Sequence, residues 1–210
     1  DLDDEGLVIT EKEGVLSLYR LNSNRMLTSC TNVLDEMWSG DIAFSSTEDG
    51  WAHIVWTRRF IDSTGYFRQT LSYSTIDASC EMTPIQDLMQ PILLSDGKYW
   101  GIDIDIDGSE ILVSGYHREM MSGSSFGEQT SVFILHADAP TKSSDWSLTP
   151  NVVDEIDLIP GETSALEVEF GDDDGAHLLY KSTRSDSTNI ERHGLWYAHG
   201  LIEQSSWTFR

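Results

Sequence analysis

Seven of the thirteen basic residues in this chain, Arg58, Arg59, Arg68, Arg118, Lys181, Arg184 and Arg192, fall in three stretches: "TRRFIDSTGYFRQ" (57–69), "HREMMSGSSFGEQT" (117–130) and "KSTRSDSTNIERHG" (181–194). A guanidinium presents a planar fork of N–H donors that meets a carboxylate through two parallel bonds. Arginines gathered on one face would therefore hold an anionic ligand such as a carboxylated sugar. The chain also carries 36 acidic residues. The simpler reading pairs each arginine with a neighbouring Asp or Glu, which contributes little at a surface. Tyr66, Phe67, Met120, Met121 and Phe126 lie in the same stretches. They form either an apolar platform for a glycan or protein partner or pins that hold the loops in place.

A second candidate for chemistry is "DIDIDG", residues 103–108. Asp103, Asp105 and Asp107 have the spacing that opens a calcium loop. The rest of such a loop is missing. The twelfth place, where an EF-hand needs a bidentate acid, is Ser114, and the ninth, where the shorter propeller-type loop needs one, is Ile111. The alternative is a strand: Ile102, Ile104 and Ile106 alternate with the three acids, so the apolar set packs one face and Asp103 and Asp105 point to the other. Gly108 then supplies the positive φ of a hairpin turn after Asp107. The strand is the preferred reading, with no cofactor expected and Ca2+ the weaker candidate.

Other chemistries find less support. His53, His117, His136, His177, His193 and His199 are scattered, without the spacing of a zinc site. Neither a nucleophile elbow nor a phosphate-binding glycine loop is present. A formal charge of −23 repels phosphate, which excludes nucleic acid and anionic membrane as partners. No apolar run reaches the roughly 18 residues of a membrane helix, so no membrane insertion is expected. Cys30 and Cys80 are compatible with a disulfide in an oxidising compartment, but they follow the third strands of neighbouring units and are read as free thiols.

The elements that position these residues repeat. "DIAFSSTEDGWAHIVWTRR" (41–59), "IDIDIDGSEILVSGYHR" (102–118) and "LEVEFGDDDGAHLLYKSTR" (166–184) each combine an alternating strand, an acidic turn ending at Gly50, Gly108 or Gly175, and a second strand with an aromatic at Trp56, Tyr116 or Tyr180. Third segments follow, with Tyr19, Tyr73, Leu135 and Tyr197 in comparable places. Fourth segments open at Met82-Thr83, Trp146-Ser147 and Trp207-Thr208. His53 and His177 share one place in their repeats, which favours a structural role. Four short antiparallel strands per unit predict an all-β, β-propeller-like array of four-stranded blades, about three and a half of them, in units 1–40, 41–98, 99–161 and 162–210. The chain opens close to a second strand. It is read as part of a larger protein or as one that pairs its open edges with another chain.

The succession of alternating strand, D-G turn, "L-x-Y" segment and W-[ST] resembles the sialidase-like, or BNR-repeat, β-propellers. The resemblance covers nearly the whole chain, with degenerate motifs. Where the Asp-box should stand, "HADAPTKSSDW" and "AHGLIEQSSW" keep the Trp without the Ser, Asp and Gly at their spacing. The chain is read as a secreted or cell-surface domain, its acidic excess being of the kind that extracellular proteins carry. The family's enzymatic form implies an arginine cluster with a Tyr/Glu nucleophile pair and an acid/base carboxyl. The expected role is a binding or scaffold module that recognises a glycan or protein partner through long loops between second and third strands, using Arg58, Arg59, Arg68, Arg118, Arg184, Arg192, Tyr66 and Phe126. A sialidase-type glycoside hydrolase and a purely structural segment of a surface protein are the alternatives, since the fold hosts all three.

Overall fold

The computed structural model describes residues 6–12, 15–21, 27–29, 39–46, 51–76, 81–120, 128–140, 145–146, 151–156, 166–171, 175–185, 191–202 and 207–210. Within them sixteen strands form four antiparallel sheets. The first sheet has three strands, β1 (Gly6–Lys12), β2 (Val15–Leu21) and β3 (Leu27–Ser29). The second runs β4 (Ser39–Ser46), β5 (Ala52–Ile61), β6 (Phe67–Ile76) and β7 (Gln86–Asp87), with β8 (Ile92–Leu93) also paired to β6. The third is β9 (Gly97–Asp107), β10 (Glu110–Met120), β11 (Glu128–Asp138) and β12 (Asn151–Ile156), and the fourth is β13 (Leu166–Phe170), β14 (Gly175–Ser185), β15 (Glu191–Leu201) and β16 (Trp207–Phe209). In each four-stranded sheet consecutive strands are neighbours, so each is a simple meander.

Alternation along the strands makes both faces of the third sheet apolar. Ile102, Ile104, Ile111, Val113, Phe133 and Leu135 pack against Ala43, Val55, Leu71 and Tyr73 of the second sheet. Leu112, Tyr116, Val132 and Ile134 pack against Leu166, Val168, Leu178 and Tyr180 of the fourth. The sheets therefore stack face to face, and β9 touches both β4 and β13, so first strands stand beside first strands. This is a propeller-like array of four-stranded antiparallel blades. Ile104 and Val168 are buried at equivalent places in their first strands, opposite Val113 and Leu178. Phe44 stands opposite Ile54 in the same way, although its side chain lies outside the described residues, as do Cys30 and Cys80.

The strand reading of residues 103–108 holds. Gly108, at φ +59, opens a two-residue loop between Asp107 and Glu110. Asp103 and Asp105 turn toward the fourth sheet, where Asp103 Oδ2 accepts from Val168 N at 2.9 Å and Asp105 Oδ2 from Phe170 N at 2.8 Å. These N–H groups lie on the edge of β13 away from β14, where no strand pairs with them among the described residues. An unsatisfied N–H there would be costly. Burial pushes the Asp103 carboxyl above its ordinary value; the bonds from Val168 and Ile104 N–H oppose this, while Glu167 and Asp105 add to it.

Further polar contacts join the same sheets. Tyr116 Oη donates to Lys181 O at 2.9 Å and accepts from Lys181 N at 3.1 Å, and Tyr180 Oη donates to Asp154 at 2.5 Å. Between second and third sheets, the Gln69 amide brackets the backbone of Tyr99, accepting from its N at 3.0 Å and donating to its O at 3.3 Å. Gly97 permits a close approach, because a Cβ there would stand 2.2 Å from Arg118 O.

Two expectations are corrected. The fourth strand of the third sheet begins at Asn151 rather than Trp146. Trp146 lies outside any strand, buried edge-on against Tyr73 and donating to Gln86 Oε1 at 3.0 Å; it plugs the interface between sheets, a place that its bulk suits better than an outer strand. The long loops between second and third strands are also largely strand: residues 57–61 and 67–69, 117–120 and 128–130, and 181–185 and 191–194 are all paired. Backbone ladders extend through polar residues as readily as apolar ones, so arginine-rich sequence at a strand end does not mark a loop.

Replacing Asp103 should separate the hydrogen bond from the charge. Asp103→Ala strands Val168 N–H and is expected to lower stability by about 1–3 kcal/mol, whereas Asp103→Asn retains an acceptor. The folded carboxyl binds its proton more tightly than the unfolded one, so wild-type stability falls as pH rises from the ordinary aspartate value through the raised one. Asp103→Asn lacks that loss, and urea denaturation across this window should show it gaining on the wild type as pH rises.

Candidate functional site

The β5–β6 hairpin is built around one carboxylate. Gly65 N donates to Asp62 O at 3.0 Å, closing a turn, and Gly65 itself sits at φ +85, where glycine is the natural occupant. Asp62 Oδ1 accepts from Thr64 N at 2.8 Å, Thr64 Oγ1 at 2.5 Å and Tyr66 N at 3.1 Å, and Oδ2 accepts from Arg68 Nε at 2.5 Å. The Thr64 hydroxyl first, then Arg68, hold this carboxyl well below the usual carboxylate range. Five residues, 62–66, thus make a tied tip.

That tip exposes apolar surface. Ile61, Tyr66 and Phe67 are 59%, 63% and 52% accessible. Ile61 and Phe67 are direct partners across the strand pair, and Leu94, also exposed, donates its N–H to Phe67 O at 3.2 Å. Arg59, exposed, lies opposite Gln69 on the same strand pair, two residues from Ile61. Large apolar residues grouped on an otherwise acidic surface mark a place of contact.

The other arginines lie on the second, third and fourth sheets. Arg58 points to the face of the second sheet away from the third, where Nη2 meets Asp87 Oδ1 at 2.7 Å and Oδ2 at 2.9 Å and Nε meets Ser72 Oγ; its guanidinium also lies 5.2 Å from the Phe60 ring centre. Arg68 serves Asp62 and the carbonyl of Pro91. Arg118 belongs to the third sheet, in register with Lys98 and Thr130. Arg184 and Arg192 are backbone partners across β14 and β15; their side chains, and the whole of Phe126, lie outside the described residues. Two of the arginines, Arg58 and Arg68, are therefore ion-pair partners of named acids.

Asp103 and Asp105 hold backbone N–H groups of β13, as above, and Asp107 is exposed at the hairpin. His53 Nδ1 bonds Tyr73 Oη at 2.7 Å, and His177 Nδ1 bonds Tyr197 Oη. The repeated place of these two histidines therefore has a repeated structural partner. Sequence reasoning named Tyr66 and Phe67 but missed Ile61 and Leu94, and it did not see that Asp62 organises the tip. The signal was present: Asp-x-Thr-Gly between two strand patterns is turn chemistry.

No protein-family model matches the chain, and no curated protein matches it. Among solved structures it is similar to an alpha-L-arabinanase of Cellvibrio cellulosa (10% identity, TM-score 0.43, covering 94% of this chain and 74% of that one). It is also similar to the GH43 protein BlXynB of Bacillus licheniformis (9%, 0.35, 100% and 53%) and to an exo-1,5-alpha-L-arabinanase from a bovine ruminal metagenomic library (6%, 0.34, 97% and 95%). These three are described as arabinanases and a GH43 protein, not as sialidases. Likeness of this degree assigns neither substrate nor activity to the chain.

Asp62→Asn tests the tied tip. Amide-exchange protection at Thr64 and Tyr66 should fall in the variant at neutral pH. In the wild type the carboxylate's stabilisation is full above its ordinary value and is lost only as pH drops through its depressed one, so the same loss of protection should appear there only in strong acid.

Proposed function

We propose that this chain is a binding module that engages a glycan through the tip of the β5–β6 hairpin. The observation that carries this reading is the exposure of Ile61, Tyr66 and Phe67 on a turn fixed by four hydrogen bonds to one carboxylate. A sugar ring has apolar C–H faces and polar edges. An exposed tyrosine offers a ring to the first and a hydroxyl to the second, and a tied hairpin loses little conformational entropy on binding. Arg59 beside the tip supplies donors for hydroxyls or for a carboxylate. A net charge of −23 makes a neutral or sparsely charged glycan the better match than a polyanion. The engagement of Arg58 by Asp87 and of Arg68 by Asp62 supports binding over a sialidase-type reaction, which would need arginines free for substrate. The same surface suits a secreted or cell-surface setting.

A glycan array read with wild type, Tyr66→Ala, Phe67→Ala and Arg118→Ala is the test. The tip variants should each weaken the bound glycan by roughly 1–2 kcal/mol, the scale of uncovering part of an aromatic side chain, with Arg118→Ala unchanged. Loss of roughly 1.5–3 kcal/mol in Arg118→Ala, confined to carboxylated glycans, would instead mark a shared arginine site. Retention of no glycan at all would contradict both.

A further inference from the structure

One cross-strand row of the fourth sheet departs from its counterparts in residue type. Along that row the second sheet carries Ser45, His53 and Thr75, and the third carries Asp105, Leu112 and His136. The fourth carries Glu169, His177 and His199, three side chains of the kinds that ligate metal ions. Directly opposed residues of an antiparallel pair send their side chains to one face, with Cβ atoms about 4.5–5.5 Å apart. Here it is the face turned away from the third sheet, because Leu178 and Ala198, the chain neighbours of the two histidines, pack on the other side. Glu169 is exposed there, and both histidines are half-buried. The histidines are distant in sequence, so no ligand motif announces them.

In the other two sheets the row has structural partners: Asp105 accepts from Phe170 N, and His53 Nδ1 bonds Tyr73 Oη. The fourth sheet keeps the second of these bonds, between His177 Nδ1 and Tyr197 Oη. That bond orients the His177 ring and occupies one nitrogen, so Nε2 is the atom that a metal would take; a partner on the far nitrogen is the usual companion of a ligating histidine. What the fourth sheet adds is a second imidazole. Where the second sheet has Thr75, the His199 ring stacks on that of His177, with centres 4.5 Å apart and planes 27° from parallel. Rotation about χ2, a soft torsion in histidine, turns the two rings edge-on to one ion. No three His, Cys, Asp or Glu side chains among the described residues already form a closed metal site, so the pair furnishes two ligands and water the rest. We propose that His177 and His199 together bind a divalent ion that prefers imidazole, of which Zn2+ is the type, with Glu169 adding negative charge beside it. A net charge of −23 draws every cation toward the chain without choosing among them. Selection for Zn2+ over the oxygen-seeking Ca2+ falls to the imidazoles.

Zinc ions titrated into the 210-residue chain, read by the ring-proton resonances of its histidines, test this. The comparison is His199→Thr, which restores the residue of the second sheet at that place; circular dichroism confirms that the variant folds. The ring signals report this row alone, whatever Zn2+ other side chains take up. The expected result is that the His177 and His199 signals shift together along one binding curve, and that the His177 response in His199→Thr needs at least tenfold more Zn2+. Calcium ions at the same concentrations should move neither ring. Ring signals that ignore Zn2+, a His177 response unchanged in the variant, or equal responses to Ca2+ and Zn2+ would each overturn the proposal.

Discussion

The N–H groups on the free edge of a first strand are the constraint around which the stacked sheets are arranged. A meander leaves its first strand paired on one side only. Where sheets stack face to face and the first strands stand together, that bare edge is carried into the interior. Water cannot serve it fully there, and another strand would break the stacking. In the third and fourth sheets the solution is a pair of short carboxylates at alternate positions of β9, reaching across to Val168 and Phe170 of β13. Asp is long enough to reach and short enough to leave Leu112 and Ile134 in contact with Leu166 and Leu178.

Each sheet interface then combines an apolar field with a few polar contacts of fixed direction. Hydrophobic burial supplies most of the attraction and is indifferent to register, whereas hydrogen bonds such as Gln69 to the Tyr99 backbone and Tyr116 to the Lys181 backbone tolerate no slip. Trp146 shows the two joined in one residue, its ring against Tyr73 and its N–H on Gln86. The site at the β5–β6 tip uses the same economy, one carboxylate satisfying several donors so that apolar side chains can remain outside.

What was legible in the sequence is what period-two alternation and turn chemistry encode. Ile102, Ile104 and Ile106 against Asp103 and Asp105 announced both a strand and its two faces, and the aligned glycines announced the meander. Trp146 was misplaced because a tryptophan that plugs an interface and one that opens a strand look alike without the third dimension. The arginine stretches were misjudged as long loops because strand pairing is decided by the partner backbone, which composition does not display. Asp87 and Asp62 could not be assigned as arginine partners in a chain with 36 acids, since only the register selects among them.

The two amides of β13 that meet the carboxylates of β9 can be interrogated directly by nuclear magnetic resonance. Their exchange protection and proton shifts should be followed as pH is lowered. The structure predicts that Val168 and Phe170 are protected to a degree approaching that of strand-paired amides, and that the Val168 proton shift moves as Asp103 titrates, at a pH higher than that of an ordinary aspartate. Rapid exchange at both amides, as from an open edge in water, with shifts blind to any carboxylate, would contradict it.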